Sequence, residues 1–408
     1  MSGEDFFDRE PELRILENRV QEGNHVLLTG QRRMGNASMV RELERRLTES
    51  GAWVTLFTDV EDATCPEDVI ADIARAAYPV RPIVSRLGDL AGLGRRAAEA
   101  VEEIGVSVFR LKIRAGLDAG NWRRHGERLL HACAENERRV LLVIDELPIF
   151  LQRMLRAQDG ATRVERFLSW LRGVLQGLGD HSPVLIVSGS IGLTPLVHRL
   201  GIPDRINYLA PFRLGPWNRE KSVACFDRLA NSASLVVEEG VGEAVYDALG
   251  IGIPHHVQSF FARLRDFAVM ENRDLVTEAD VERVYWTGVL GPSGQNDLAH
   301  YETRLRDALE EESLAIAMEV LAEAATQGEL TSGTRNRLGE LYTRVVSDAH
   351  SRITEVFDVL EHDGYLEKRG DVYRFQLHPL RDWLAARFRD HHVPVADRTR
   401  DAKGWRDE

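Results

Sequence analysis

The sequence predicts an α/β protein: a three-layer domain with a parallel sheet, followed by an α-helical lid and a C-terminal winged-helix domain. Short apolar runs alternate with amphipathic segments in the first half, as in a parallel sheet covered by helices on both faces. The periodicity becomes wholly helical after Trp217, and the last third combines three helical segments with a hairpin. Together these patterns place the sheet first and the helical parts after it.

Four apolar runs are predicted to be strands of the sheet, at residues 26–28, 53–59, 141–144 and 184–188. Each is short enough for a strand that is buried on both faces. Right-handed crossovers bring the carboxyl ends of such strands to one edge, where ligands bind in open α/β sheets. We therefore expect the functional residues in the segments that directly follow these strands.

A glycine-rich loop follows the first run. Gly30 and Gly35 have the spacing of a phosphate-binding loop (P-loop), in which Lys and then Ser or Thr follow the second glycine, but Asn36 and Ala37 occupy those two places here. Glycines allow successive N–H groups to face an anion, and a helix predicted at about residues 37–50 adds the positive end of its dipole. The sequence thus predicts the backbone part of a phosphate site without its two functional side chains.

The missing side chains would carry the chemistry of the loop. The Lys neutralises phosphate charge and the hydroxyl holds Mg²⁺. A charge-assisted hydrogen bond contributes roughly 1.5–3 kcal/mol, which predicts phosphate binding weakened about tenfold to a hundredfold and a larger loss of hydrolysis. Ser38 is a poor replacement because one helical step rotates it by roughly 100°. The residues predicted to line the nucleotide are Gly30, Gln31, Arg32, Arg33, Met34, Gly35, Asn36, Ala37 and Ser38.

Two carboxylates, Asp145 and Glu146, follow the third apolar run. In a P-loop enzyme the Asp at this place helps to hold Mg²⁺ and the next Glu polarises the attacking water. The alternative is a buried strand that ends in a solvated acidic turn. We predict a P-loop NTPase domain in which Asp145 is the metal ligand and Glu146 is catalytic.

Several motifs resemble those of the archaeal-type ATPases of the AAA+ and STAND superclass, which act in signalling or defence. Residues 7–13 resemble the Gly-Arg-Glu-x-Glu-Leu entry segment, with Asp8 in place of the glycine, and residues 31–34 resemble the Pro-Arg-Arg-x loop. Other matching segments lie at residues 188–192, 204–212, 252–254 and 378–384. The resemblance covers about residues 6–390 and implies binding of ATP or ADP with Mg²⁺ at a weakened site.

The resemblance also implies roles for four further residues. Ser190 matches the end of the sensor-1 strand, and Arg205 matches an arginine finger or phosphate sensor. Gly252 and Pro254 match the turn of the helical lid that closes over the base and ribose; the alternative is an ordinary turn before a helix. An arginine finger that bridges subunits would predict a homo-oligomer.

The predicted domains are a nucleotide-binding domain at residues 1–215 with an insertion at about 65–126, a lid at 216–290, a winged-helix domain at 297–390 and a polar tail at 391–408. Turn-forming residues at 291–296 predict a linker between the last two domains. In the insertion, helices are predicted at residues 66–77 and about 87–103. Alternating apolar and basic side chains predict a strand at residues 106–114.

The charge of the winged-helix domain argues against DNA binding. Its helices are predicted at residues 310–325, 338–346 and 351–362, and its hairpin turns at 369–371. Residues 331–390 contain ten Lys and Arg against ten Asp and Glu, and the third helix carries Glu355, Asp358 and Glu361. Since non-specific DNA affinity depends mainly on phosphate contacts, we favour a protein partner or an autoinhibitory contact over DNA.

The composition indicates a cytoplasmic protein without a membrane partner. The 408 residues are 43% hydrophobic and 29% charged, with a formal net charge of −13. Three scattered cysteines fit a reducing compartment, the N-terminus lacks signal-peptide features, and no run of about eighteen apolar residues occurs.

Three functional interpretations remain open from the sequence. The first is a nucleotide-binding switch with weak or absent hydrolysis. The second is a nucleotide-free pseudoenzyme that serves as a scaffold for protein or DNA contacts. In the third, Asn36 and Ala37 are substitutions that inactivate an otherwise active ATPase.

Overall fold

The computed structural model describes residues 7–31, 33–87, 106–189, 192–343 and 348–398. Its internal contacts divide the chain into two compact units. The first contains Met1–Gly30 and Gly35–Leu214, and the second contains Gln31–Met34 and Gly215–Glu408. The middle of the glycine-rich loop therefore belongs, by its contacts, with the second half of the chain.

A five-stranded parallel sheet forms the centre of the first unit. Its strands are β1 Val26–Gly30, β2 Trp53–Asp59, β3 Arg139–Asp145, β4 Val184–Gly189 and β5 Ala210–Leu214. They are arranged in the order β2-β3-β4-β1-β5, and each neighbouring pair is parallel. The four predicted strands and the parallel sheet are confirmed, and β5 is an additional strand at the edge beside β1.

Helices surround this sheet, and together they bury most apolar side chains of β1, β3 and β4. They span Glu10–Gln21, Asn36–Glu49, Pro66–Ala77, Arg81–Leu87, Val106–Ala115, Trp122–Ala134, Leu147–Leu155, Gly160–Gly177 and Leu193–Arg199. Each chain segment between two strands is long enough to contain a crossover helix, as parallel pairing requires. The predicted helical stretch at about residues 87–103 lies outside the described residues except for its first residue.

The strand predicted at residues 106–114 is wrong, because this segment forms the helix Val106–Ala115. Phe109 and Ile113 are buried, whereas Leu111 is 61% exposed. A spacing of four residues puts the first two on one helical face, and this fits the sequence as well as strand alternation does. On the same helix Arg110 and Arg114 bind carboxylates of the helix Pro66–Ala77, so tertiary ion pairs decide between the two patterns.

The first helices of the second unit are Arg219–Ser232, Val241–Leu249, Pro254–Met270, Glu278–Val284 and Pro292–Ala308. Two of these helices begin at capping side chains. The Asn218 side chain accepts a hydrogen bond from the Lys221 N–H, and Thr277 and Asp280 form a capping box. A single π-helical turn, Tyr285–Val289, follows the fourth helix.

The linker predicted at residues 291–296 is also wrong, since a helix begins at Pro292. Its glycines permit close backbone packing instead. A Cβ atom on Gly291 would lie 1.9 Å from the Thr287 carbonyl oxygen, and one on Gly294 would lie 1.8 Å from that of Val289. The two glycines thus allow the new helix to begin directly against the π-helical turn.

The last part of the second unit has the predicted winged-helix architecture. Its elements are Glu311–Gln327, β6 Leu330–Thr331, Ser332–Tyr342, Ala349–His362, β7 Leu366–Arg369, β8 Val372–Phe375 and His378–Phe388. The three strands pair antiparallel in the order β6-β8-β7, and the hairpin turns at Gly370 with a φ of +62°. The helix predicted at residues 338–346 instead begins at Ser332, where Thr331 caps it.

Part of the predicted polar tail is packed against the winged helix. Val395 is fully buried, and Glu323 accepts hydrogen bonds from the Val395 N–H and the His392 ring. Residues 399–408 lie outside the described residues. None of the helices in the described ranges combines the length and the apolar character that a membrane crossing needs.

Candidate nucleotide site

The two glycines of the loop are required for different reasons. Gly35 has a φ of +92° and precedes the helix Asn36–Glu49, so it adopts the left-handed conformation at the helix start. Gly30 ends β1, and a Cβ atom there would lie 2.6 Å from Asn36 Oδ1 and 3.2 Å from the Leu214 carbonyl oxygen. Gly35 therefore provides the left-handed backbone of the turn from strand to helix, and Gly30 provides the space for its close packing.

The first turn of the following helix contains the replaced positions. Asn36, Ala37 and Ser38 are its first three residues, and no capping side chain from the described chain binds the start of this helix. The N–H groups of a first helical turn have no acceptor within the helix, so they favour an anion. Asn36 Oδ1 is buried and has no hydrogen-bond partner among the described atoms. It is an unsatisfied polar atom at the point where the loop meets the helix.

The middle of the loop is anchored within the second unit. Arg33 has a φ of +68°, and its Nη2 atom lies 2.9 Å from Asp297 Oδ1. Gln31 Nε2 donates a weak hydrogen bond of 3.4 Å to Gln376 Oε1. Gln31 also lies against Gly364, since a Cβ atom on that glycine would be 2.1 Å from Gln31 Cδ. Arg32, predicted as a loop cation, lies outside the described residues.

The acidic pair lies at the end of β3, as predicted. Asp145 Oδ1 accepts hydrogen bonds from Ser188 Oγ at 2.6 Å and from the Glu146 N–H at 3.1 Å. Burial raises the pKa of Asp145, the hydrogen bond from Ser188 opposes this rise, and the negative charge of Asp59 adds to it. The carboxylate is thus held in a fixed orientation in surroundings that make ionisation costly without a cation nearby.

Strand register places the loop beside this pair within the first unit. Asp59 and Asp145 are aligned on β2 and β3, and Thr29 of β1 is aligned with Gly189 of β4. A Cβ atom on Gly189 would lie 2.6 Å from the Pro148 ring and 3.6 Å from Glu146 Oε2. The carboxyl ends of β1, β3 and β4 therefore bring Gly30, Asp145 and Glu146 to one edge of the sheet.

The fit to a phosphate is better than the fit to a metal. The close approach at Gly30, the left-handed Gly35 and the uncapped helix start together make a backbone anion cradle. By contrast, the described residues contain no group of three or more His, Cys, Asp or Glu side chains arranged to hold a metal ion. The described residues at this edge thus suit an anion better than a metal ion.

The structure adds Ser188, which the sequence interpretation had not selected. The predicted sensor residue Ser190 lies outside the described residues, whereas Ser188 is almost fully buried and donates to Asp145. A signal was present in the sequence, because Ser188 is the polar residue at the end of an otherwise apolar run in residues 184–188. A buried hydroxyl at such a strand end needs a partner, and the acidic end of the neighbouring strand supplies one.

Arg205 is not brought to this edge of the sheet. It lies in the 3₁₀ turn Pro203–Ile206, which precedes β5, and Tyr208 packs against His25 just before β1. This turn is therefore at the amino end of the parallel strands, opposite to the loop. There Arg205 pairs with Glu165 at 2.9 Å and with Asp204 at 2.6 Å. This position does not bring Arg205 to the loop at the carboxyl end of the same strands.

Gly252 and Pro254 form a rigid turn in the second unit. The Trp217 N–H donates to the Gly252 carbonyl oxygen at 2.8 Å, and a Cβ atom on Gly252 would lie 2.2 Å from Ser222 Oγ. Pro254 begins the helix Pro254–Met270. His256, in the first turn, is buried and shares a hydrogen bond of 3.0 Å with the Tyr301 hydroxyl, and burial lowers its pKa to about 3. The packing explains this turn without a ligand.

Comparisons with known proteins support the fold. No family model matches the sequence, and no curated protein matches it. Among solved structures, a Walker-type ATPase of Pyrococcus abyssi is similar with 17% identity and a TM-score of 0.61, covering 93% of this chain and 96% of that one. The Aeropyrum pernix ORC2 protein, solved in ADPNP–ADP complexes, is similar with 16% identity and a TM-score of 0.55, covering 95% and 96%. The chain therefore shares the fold of these two structures, and the predicted α/β P-loop NTPase fold is confirmed.

Proposed function

We propose that this protein binds ATP or ADP at the loop from Gly30 to Ser38 and acts as a regulatory switch with slow or absent hydrolysis. One observation carries this proposal. The turn formed by Gly30 and Gly35 leads into a helix start without a side-chain cap, and it lies at the same sheet edge as Asp145, which Ser188 holds by a hydrogen bond. A similar solved structure contains ADPNP and ADP, which supports the same ligand class here. A nucleotide brings phosphate charge to the cradle and, as its Mg²⁺ complex, a cation to Asp145.

The residue roles in this proposal follow from position. The loop backbone and the first helical turn would hold phosphate oxygens and Asp145 would bind Mg²⁺, while Ser188 orients Asp145 through its hydrogen bond. Glu146 directly precedes the helix Leu147–Leu155 and has a φ of +57°, and this position next to Asp145 supports a role in hydrolysis. Arg205, at the opposite end of the strands, would act on a second copy of the chain rather than on its own site. A contribution of Gly252 and Pro254 to the nucleotide pocket, and of Ser190 as a sensor, remains part of the proposal.

The two parts that follow the sheet domain belong to the same proposal. We infer a lid at residues 216–290 and a winged-helix domain at 297–390 that report nucleotide occupancy to a protein partner or a second copy. The exposed face of the helix Ala349–His362 includes Thr354 and Asp358, which suits a protein better than a phosphate backbone. A signalling or defence function is proposed from the resemblance of the motifs, and a cytoplasmic location from the composition.

Calorimetric titration of the full chain with Mg²⁺–ATP and Mg²⁺–ADP tests nucleotide binding. We expect saturable heat and a higher unfolding temperature in the presence of nucleotide, because a ligand that binds only the folded state stabilises it. No heat and no stabilisation at millimolar nucleotide would reject the switch.

Restoring the missing side chains tests why hydrolysis is slow. The double variant N36K/A37T should bind nucleotide roughly tenfold to a hundredfold more tightly and should raise turnover, since it returns one cation and one hydroxyl. The control N36Q/A37V has comparable side-chain size without the charge or the hydroxyl, and it should not improve either quantity. If turnover stays unchanged in the restored variant, the defect lies elsewhere in the site.

A nucleotide-free scaffold is the second candidate, and one observation favours it. Asn36 Oδ1 lies so close to Gly30 that it occupies the space where a Cβ atom would be. If this side chain fills the cradle permanently, nucleotide will not bind to the natural chain but will bind to N36K/A37T, in which Asn36 is replaced. The same two experiments therefore separate the two candidates.

A further inference from the structure

Arg33 occupies an unusual position in the middle of the loop. Its backbone is left-handed, with a φ of +68°, a conformation that costs a non-glycine residue about 1 kcal/mol or more. Its side chain is only 13% exposed and pairs with Asp297 of the helix Pro292–Ala308 at 2.9 Å. Both residues belong to the second unit. A strained backbone with a largely buried ion pair indicates that the pair holds the loop in this conformation.

Asp297 has other cations around it. Arg263 Nη2 lies 3.2 Å from Asp297 Oδ2, and His255 Nε2 lies 3.7 Å from Oδ1. Ser259 Oγ is 3.4 Å from Oδ2. Burial acts to raise the pKa of Asp297, but the charges of Arg33 and His255 outweigh it and keep the pKa below its usual range. Arg263 would still pair with Asp297 after Arg33 had left.

The pairing of Arg33 is incomplete. Its Nη1 atom is buried and has no hydrogen-bond partner among the described atoms. A buried donor without an acceptor costs free energy, whereas a phosphate group offers several oxygens and can accept from both terminal nitrogens of a guanidinium. The same side chain would thus be better satisfied by a phosphate than by Asp297.

We propose that the Arg33–Asp297 ion pair is a latch that competes with nucleotide phosphate for the Arg33 guanidinium. With the latch closed, the Arg33 guanidinium is engaged by Asp297. Binding of a nucleoside di- or triphosphate transfers Arg33 to phosphate oxygens and leaves Asp297 to Arg263 and His255. Arg33 then supplies the charge that Asn36 lacks, and occupancy becomes linked to the helix Pro292–Ala308. The inference rests on the proposed nucleotide binding.

The affinities of variants for Mg²⁺–ADP and for inorganic pyrophosphate test the latch. Asp297→Asn removes the competing charge, so we expect affinities for both ligands to rise roughly tenfold in the full chain. Arg33→Met should lower both affinities. In the double variant R33M/D297N the gain from Asp297→Asn should disappear, because no guanidinium remains to be released. This coupling would not arise if Asp297 were only a structural residue.

The matched control is Glu302→Gln on the same helix, since Glu302 pairs with Arg306 and Arg387 and not with Arg33. It should leave both affinities unchanged. Asp297→Ser provides a second variant if Asp297→Asn does not fold, as judged by thermal unfolding. Intact binding with no gain in either Asp297 variant would overturn the latch alone. Absence of binding in the natural chain and in every variant would overturn the proposed function as well.

Discussion

The glycine-rich loop and the acidic end of β3 lie at the same sheet edge but supply different parts of the proposed nucleotide site. In the loop the main chain keeps its geometry, through Gly30 and Gly35, while the two reactive side chains are absent. At the end of β3 the side chains remain, and Ser188 fixes Asp145. A phosphate cradle depends on backbone groups, so it does not require the loop side chains. A metal site depends on its side-chain ligands and is lost when they are replaced.

The largest effect is expected from Gly30→Val, which would break the loop while leaving β3 intact. The new Cβ atom would meet Asn36 Oδ1 at 2.6 Å and the Leu214 carbonyl oxygen at 3.2 Å. We expect a loss of about 2–4 kcal/mol in the free energy of unfolding and the loss of measurable nucleotide binding. Urea unfolding and calorimetric titration measure the two effects.

Gly173→Ala is the matched control for this substitution. Gly173 lies in the helix Gly160–Gly177, and a Cβ atom there would have no heavy atom within 4 Å. This variant should be more stable by about 0.5–1 kcal/mol and should bind nucleotide as before. Normal nucleotide affinity in Gly30→Val would show that the loop backbone is not the binding element, and the contrast with β3 would fail.

The same contrast explains which features could be predicted from the sequence. Buried parallel strands leave apolar runs that are independent of context, so β1 to β4 and the position of Asp145 followed from the pattern. Ser188 was missed because its role depends on which strand lies beside β4, and strand order is a tertiary property. No local pattern in the sequence shows that β3 and β4 are neighbours in the sheet.

Ambiguous local patterns account for the errors. Residues 106–114 fit a strand and a helix equally well, and the ion pairs of Arg110 and Arg114 with the helix Pro66–Ala77 select the helix. Gly291 and Gly294 suggested a linker, but glycine also permits close backbone packing, and only the three-dimensional contact distinguishes the two uses. The position of Arg205 depends likewise on the turn that connects to β5.

An intermediate effect is expected from Ser188→Ala at the acidic edge. This change removes the 2.6 Å hydrogen bond to Asp145 and leaves a buried carboxylate with one donor fewer, so the free energy of unfolding should fall by about 1–3 kcal/mol at neutral pH. It should also weaken Mg²⁺-dependent binding more than Mg²⁺-independent binding, since Asp145 loses its orientation. Urea unfolding and titration with ADP in the presence of Mg²⁺ or EDTA measure both effects.

Thr58→Val on β2, which borders β3 on the side opposite to β4, serves as the control for Ser188→Ala. The Thr58 hydroxyl is buried and has no hydrogen-bond partner among the described atoms, and valine has nearly the same shape. Its removal should therefore be neutral or stabilising. Equal losses in the two variants would mean that the hydrogen bond to Asp145 is not what makes Ser188 important.

The smallest effect should come from Glu44 on the helix that follows the loop. Burial raises the pKa of Glu44 to about 7, against the opposing hydrogen bond to Thr55 and the charge of Arg41. An acid whose folded-state pKa lies above its unfolded value of 4.5 favours folding when protonated, so this contribution is lost as the pH rises from about 4.5 to about 7. Glu44→Gln should remove this pH-dependent loss of stability and raise the free energy of unfolding above pH 7 by about 1 kcal/mol. The gain is smaller than the pKa shift alone would give, because the side chain is only partly buried.

Thermal unfolding from pH 5 to pH 8 measures this difference, with the exposed Glu49→Gln on the same helix as the control. Glu49 is paired with Arg45 at the surface, and its replacement should change stability by only a few tenths of a kcal/mol. Nucleotide affinity should stay the same in both variants, because the cradle depends on the backbone of the first helical turn and not on side chains further along the helix. A change in affinity with Glu44→Gln would show that side chains of this helix still act on the site, and the division between a backbone loop and a side-chain strand end would have to be abandoned.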